Sequence, residues 1–343
     1  MKKITIAILL VLVMALSVAC SGGNEADNGG KDVSKPKVIK IGHGASETYH
    51  MHRAMLKFKE ILEETGNFKV EIYPSSQLGN DAEMIESVKT GDLTMAIPPS
   101  SFLTDEAPDM TVIELPYVFP SREVAINTLN GDWGKDQLSQ LESSGLVGLG
   151  YFENGLRHLT NSKRPVRTPE DLKGLKLRTM QVPAHVYLWN DLGATAVGSP
   201  FAELYTNLST KVFDGQENPI AHIYSQKFFE VQDYLTLTGH VYTAYVPVLG
   251  LEFWSTLNDE EQGQIRDAFE ESRVYQLELI DAEETNQLEE IKANTTYPTE
   301  VTELTKEEKQ KFIDAAQPTL EHFRNEVGAE SYDKFMEAIK AAE

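Results

Sequence analysis

Between Val38 and Ile97 the apolar residues switch back and forth between two periods, and this alternation limits the chain's folds more than any other feature. Val38-Ile39-Lys40-Ile41 reads as a strand, whereas Met51, Ala54, Met55, Phe58, Ile61 and Leu62 fall on one helical face before Gly66. Lys69 to Tyr73 is a strand again. Asn80 or Asp81 then caps a helix carrying Met84, Ile85 and Val88, Gly91 ends it, and Leu93 to Ile97 forms a third strand. A β-α-β-α-β order of this kind predicts an α/β fold, with parallel strands joined by crossover helices. Ligands of such sheets bind beyond the strand C-termini. Two loops therefore become cleft candidates, Gly42 to His50 with His43, Glu47 and Tyr49, and Pro98 to Phe102 with Ser100.

At 343 residues the chain exceeds what one core organises, so two lobes are expected. Leu146 to Tyr151 reads as a strand leading out of the first lobe, and Glu153 to His158 as the crossing. In the second lobe, Thr168-Pro169 opens a short helix that stops at Gly174, and Leu175-Lys176-Leu177 is a strand ending in Arg178. A helix from Pro183 to Leu192 and a strand from Ala194 to Val197 follow, after which Ser199-Pro200 opens a helix bearing Phe201, Leu204, Tyr205 and Leu208. Phe213-Asp214-Gly215 is read as the strand and turn that deliver Gln216, Glu217 and Asn218. Val241 to Leu251, with Tyr242, returns the chain to the first lobe. From Asn258 to about Asn294 there is no proline and a single glycine, Gly263. This stretch is either one helix or a kinked pair; unbroken, it would measure about 54 Å and brace both lobes. A last helical region spans Lys306 to Ala342. The expected division is 37–153 with 244–283 in the first lobe, and 154–243 with 284–343 in the second.

Arg178, at the C-terminal end of its strand, is the leading functional residue. A guanidinium offers two parallel N–H donors that match the two oxygens of a carboxylate. Arg157 is a candidate second cation near the cleft. Ser46, Thr48, Tyr49, Ser100 and Gln181 supply hydroxyl and amide groups suited to a hydroxylated acid.

Other chemistries find little support. Gly131 to Lys135 lacks the spacing of a phosphate loop, Gly145 to Gly150 does not read G-x-G-x-x-G, and neither G-x-S-x-G nor H-E-x-x-H occurs. His50-Met51-His52 lacks the i, i+4 spacing that would put two metal ligands on one helical face. The chain is therefore expected to be neither an enzyme nor a metal or cofactor protein.

The N-terminus carries an address. Lys2 and Lys3 precede an apolar run from Ile4 to Val18, too short to span a bilayer comfortably, and Ala19 precedes the chain's one cysteine, Cys20. Residues 1–19 read as a signal peptide, Cys20 as a lipid attachment site, and 20–36, with four glycines, as a flexible tether. Without the signal the chain keeps 29 basic against 53 acidic residues, a net −24 that excludes nucleic acid as a partner.

Four segments carry a family resemblance: Tyr73-Pro74-Ser75-Ser76-Gln77-Leu78-Gly79, Leu115-Pro116-Tyr117-Val118-Phe119, Glu170 to Arg178, and Asp214-Gly215-Gln216-Glu217-Asn218-Pro219. Together they resemble the DctP family, the solute-binding proteins of tripartite ATP-independent periplasmic (TRAP) transporters, over nearly all of the chain from Val38. The resemblance implies a two-lobed, periplasmic-binding-protein-like (Venus flytrap) fold that closes about a hinge. It makes Arg178 the carboxylate clamp, Arg157 its helper, Asn218 a hydrogen-bond partner of the ligand and Phe201 an aromatic wall. It also implies a monomer that delivers a small-molecule carboxylate to a small and a large membrane subunit outside the cytoplasm. No acid stands at Ile97-Pro98-Pro99-Ser100, where the sialic-acid branch carries one, which argues against sialic acid. The expected ligand is a sugar acid such as a uronate or aldonate. The alternatives are a C4-dicarboxylate and a ligand-presenting sensor in a signalling system.

Overall fold

The apolar faces that define the alternating segments are the faces that meet in the core. The computed structural model describes residues 35–343; the expected signal peptide, Cys20 and nearly all of the tether lie outside them. In chain order the first elements are β1 (Lys37–Gly42), α1 (His50–Glu64), β2 (Phe68–Tyr73), α2 (Asp81–Thr90), β3 (Met95–Ala96), α3 (Arg122–Asn130), α4 (Asp132–Gln140) and β4 (Leu146–Gly148). Next come β5 (Phe152–Leu156), β6 (His158–Asn161), β7 (Lys176–Thr179), α5 (Pro183–Asp191), β8 (Thr195–Gly198), α6 (Leu204–Ser209), β9 (Gly215–Asn218), α7 (Ile220–Ser225) and β10 (Tyr234–Leu237). The chain closes with β11 (Tyr242–Tyr245), β12 (Val248–Gly250), α8 (Leu251–Ser255), α9 (Asp259–Ala293), β13 (Glu300–Glu303), α10 (Lys306–Ala315), α11 (Gln317–Val327) and α12 (Ala329–Ala342).

Two sheets organise these elements. One has the order β2-β1-β3-β12-β4 and the other β13-β10-β6-β9-β7-β8. The parallel pairings β1–β2, β1–β3, β7–β8 and β7–β9 are those that alternating strands and helices impose. Each sheet also contains a strand of opposite direction, β12 in the first and β6 in the second. Both arrive directly from the other half of the molecule. A strand that enters from the cleft side, where its neighbours end, must run against them.

The two crossings pair with each other: β5 and β11 form an antiparallel ribbon with a register shift between Thr243 and Ala244. The expected strand from Leu146 to Tyr151 is cut short at Gly148. Gly150 has φ +156, and a Cβ there would collide with the Phe269 ring of α9, so the chain turns before β5 begins.

α9 is one unbroken helix of 35 residues, about 52 Å long at 1.5 Å per residue. Its start is secured by a capping box between Asn258 and Glu261. Along its length it packs on α1, β5 and α7, so it touches both halves and the ribbon between them. Gln276 binds the ribbon from both sides, accepting from the Glu153 N–H and donating to the Glu153 carbonyl, each at 2.9 Å. The C-terminal helices divide their packing. α11 lies on α5 and on the 3-10 turn Pro108–Glu114, whereas α12 lies on α3 and α4, with Phe335 against Phe119 and Trp133. Within residues 284–343, β13 was not legible as a strand; it extends the second sheet as a parallel partner of β10.

Candidate functional site

β7 and β9 run side by side through the second sheet, and this pairing brings Arg178 and the Gln216-Glu217-Asn218 segment together. The three residues do not follow a strand that ends at Gly215, as expected from the sequence, but are the body of β9 itself. Gly215 permits this, since a Cβ there would lie 2.3 Å from the Thr160 carbonyl of β6 and 2.9 Å from a Leu177 methyl. β9 therefore squeezes between β6 and β7, and its polar side chains become buried.

A cavity of about 230 Å³ opens beside this edge. Arg157, Arg178, Asn218, Phe201 and Gln181 line it from one half, joined by Asn154 of the ribbon; Gly44, Ser76, Asn80 and Asp81 line it from the other. Arg178 donates through Nε and Nη2 to the Ser199 carbonyl at 2.9 and 2.5 Å, which leaves Nη1 buried and without a partner. Arg157 likewise commits its Nη2 to Glu217 Oε1 at 2.9 Å and to Asn218 Oδ1 at 3.1 Å, and its Nη1 has no partner. Two cationic donors left unbonded beside one cavity are a binding edge for an anion, because buried donors are normally hydrogen-bonded.

The two guanidinium groups differ in their charge environment. Arg157 is matched by Glu217, and both side chains are fully buried. Arg178 has no carboxylate of its own. Burial pulls its pKa down to about 10 against the opposing pull of Glu217 and Asp81, so it is still a cation at neutral pH. Its guanidinium stands 5.8 Å from the Phe201 ring centroid. Across the cavity, Asp81 is half-buried at the start of α2 and forms no side-chain hydrogen bond with another described residue. Burial pushes its carboxyl up to about 6, with Arg178 pulling the other way.

Aromatic rings complete the wall. Tyr49 stacks on His222 at 3.9 Å, His222 Nε2 lies 2.8 Å from the Tyr245 hydroxyl, and the Phe201 ring tilts against His222 at 5.0 Å. Burial holds His222 well below its ordinary pKa, so the imidazole beside the two arginines is neutral. His43 and His50 are likewise pushed down to about 3 by burial. Histidines with depressed folded pKa values contribute stability that is present above about 6.5 and is lost as the pH falls toward 3, since only the unfolded chain takes the protons. At pH 5 each of these two is expected to cost about 2 kcal/mol. Urea titrations at pH 7.5 and 5.0 should therefore show a midpoint that falls steeply on acidification; equal midpoints would contradict the buried neutral state.

Of the ten ligand-contact residues expected from the sequence, Arg178, Arg157, Asn218, Phe201 and Gln181 come together around this cavity. Tyr49 lies behind the wall, donating from its hydroxyl to Asn154 Oδ1 at 2.9 Å. Four others do not line the cavity. His43 is buried with its Nε2 3.0 Å from His52, Glu47 is exposed, Ser100 donates to Glu114 at 2.9 Å, and Tyr242 packs against Phe119. Asp81, Asn154, His222 and Tyr245 were missed. Asp81 carried a signal, because Asn80 beside it makes the whole capping box with Glu83 and leaves Asp81 unused.

Known proteins resemble this chain in sequence and fold. The family model described as bacterial extracellular solute-binding protein, family 7 (DctP) matches residues 41–326. The 2,3-diketo-L-gulonate-binding periplasmic protein YiaO of Escherichia coli is 38% identical over 71% of this chain and 74% of its own length. The C4-dicarboxylate-binding protein DctB of Bacillus subtilis is 33% identical over 88% of this chain and 87% of its own. Among solved structures, the sugar acid binding protein DctPAm of Advenella mimigardefordensis in complex with galactonate superimposes with a TM-score of 0.86 at 33% identity, covering 90% of this chain and 99% of that one. This chain belongs to the DctP family of TRAP-transporter solute-binding proteins.

Proposed function

We propose that the protein captures a polyhydroxylated monocarboxylate, an aldonate or uronate, and delivers it to a pair of TRAP membrane subunits. The observation that carries this reading is the charge across the cavity: the guanidinium of Arg178, which forms no ion pair with another described residue, and the half-buried carboxylate of Asp81 at the start of α2 line the same space. A ligand whose single carboxylate meets Arg178 presents its far end to Asp81. Hydroxyl groups there donate to the carboxylate, whereas a second carboxylate is repelled by it. DctPAm, seen with galactonate, and YiaO, named for a diketo-sugar acid, support the sugar-acid reading, while DctB, named for C4-dicarboxylates, supports the alternative of a dicarboxylate. The same proposal includes the N-terminal signal, a lipid on Cys20 that holds the protein at the outer membrane surface, and a monomeric working form.

A thermal-shift panel tests the ligand class. D-Galactonate at 100 times its Kd is expected to stabilise the protein by about 2.7 kcal/mol. Succinate at the same concentration should do less at pH 7.5 and gain as the pH falls through about 6, where Asp81 takes a proton. Asp81→Asn should narrow the gap between the two. Equal stabilisation of the wild-type protein by both acids at pH 7.5 would rule out the sugar-acid preference.

A further inference from the structure

Behind the cavity, a line of buried polar side chains runs from one half of the molecule to the other. It begins at Ser100, in the loop after β3, whose hydroxyl donates to Glu114 Oε1 at 2.9 Å. Glu114 ends the 3-10 turn Pro108–Glu114, and its other oxygen meets His185 Nε2 of α5 at 2.9 Å. His185 Nδ1 then lies 3.6 Å from Glu217 Oε1, an ion-pair distance longer than a hydrogen bond. Glu217 in turn holds Arg157. Glu114, His185, Glu217 and Arg157 are each no more than 1% exposed.

Charge balance gives this line its meaning. Arg157 already neutralises Glu217, so the carboxylate of Glu114 has His185 as its counter-charge. A buried carboxylate without one is strongly destabilising. A protonated His185 therefore sits between two carboxylates supplied by different halves, and it restrains the same Glu217 that orients Arg157. His240 Nε2, at 3.1 Å from Glu217 Oε2, supports that carboxylate from its other side, but burial leaves it below its ordinary pKa. Burial also opposes charge on His185; the hydrogen bond to Glu114 and the charges of Glu217 and Glu114 outweigh it, and His185 titrates above its ordinary value. The other titratable groups where α5 meets α11 are engaged elsewhere, Tyr187 stacked on His322 and Asp191 accepting from Thr319.

We propose that Glu114 and His185 are positioning residues of the ligand clamp: the imidazolium bridges carboxylates of the two halves and holds Glu217 so that Arg157 presents its free Nη1 to the ligand. Neither residue lines the cavity, so both act through Arg157. This assignment rests on the carboxylate-binding reading of the cavity.

The test is a double-mutant cycle with D-galactonate as the probe, read by calorimetric titration on the purified chain from pH 6 to 9. Glu114→Gln and His185→Gln should each weaken binding about tenfold, because each strands the other's charge. The double variant restores charge balance and should bind more tightly than the product of the two losses predicts. Wild-type affinity should decline as the pH rises through the raised pKa of His185, and the double variant should lack that decline. Strictly additive losses, or a wild-type pH profile unchanged in the double variant, would overturn the proposal. Urea midpoints for each variant identify any that fail to fold, and the double variant, free of stranded charge, keeps the pH comparison usable in that case. Arg178→Ala is the control: if wild-type protein binds no acid, or Arg178→Ala binds as well as wild type, the carboxylate-binding reading has failed and not the relay.

Discussion

Arg178→Ala is expected to weaken sugar-acid binding by at least about 30-fold, since truncating one partner of a buried, hydrogen-bonded charge pair costs about 2–5 kcal/mol. Calorimetric titration with D-galactonate measures this directly. The ligand's carboxylate would still meet Arg157, but Glu217 already compensates that cation. Arg178→Lys should not rescue binding. The native guanidinium spends Nε and Nη2 on the Ser199 carbonyl and leaves Nη1 unbonded, a division of donors that a single ammonium on a flexible stem cannot reproduce. The ligand-free Arg178→Ala protein is expected to be no less stable than wild type. Its arginine is a buried cation without a counter-ion, and burial has already lowered its pKa to about 10. Undiminished galactonate affinity in Arg178→Ala would place the clamp elsewhere.

The second large effect concerns stability. Glu217→Gln removes the negative charge from a fully buried pair and leaves Arg157 without compensation, and loss of one partner of such a pair costs about 3–5 kcal/mol. The cost should appear as a lower urea midpoint with an unchanged slope. It should also depend on pH: burial raises the Glu217 pKa, but Arg157, His185 and His240 outweigh it and hold the carboxyl well below its ordinary range. A depressed carboxylate contributes stability that is present above its unfolded pKa and is lost as the pH falls through its folded one. The gap between wild type and Glu217→Gln should therefore be widest at neutral pH and shrink in acid. A gap that does not change with pH would mean that Glu217 contributes by packing alone. The same variant should bind galactonate poorly, because Arg157 loses the partner that aims it.

These two residues also show which parts of the site the sequence displayed. Arg178 was readable because a strand-terminal arginine after an apolar run is a local pattern. Glu217 was read only as part of a motif, and its ion pair with Arg157 spans 60 positions in the chain. His43, Glu47, Ser100 and Tyr242 were expected at the cavity because their loops or strands lead toward it. Their side chains instead point into neighbouring packing, to His52, to solvent, to Glu114 and to Phe119. A loop's position follows from strand order, but the direction of a side chain follows from what fills the space around it.

At the level of the fold, the periods of apolar residues were enough to set the α/β class, the parallel pairings around β1 and β7 and the helical character of the α9 stretch, though not whether it was one helix or a kinked pair, because each depends on residues a few positions apart. The antiparallel entries of β12 and β6, the short β4 before Gly150 and the division of the C-terminal helices between α5 and the α3–α4 pair depend on contacts between segments distant in sequence. So does the charge of the site. The sequence by itself determined that arginines and a DctP framework were present. Only the tertiary structure decided that Arg157 is neutralised while Arg178 is not, because compensation of a buried charge depends on which carboxylate lies within a few ångströms, and chain order does not encode that distance.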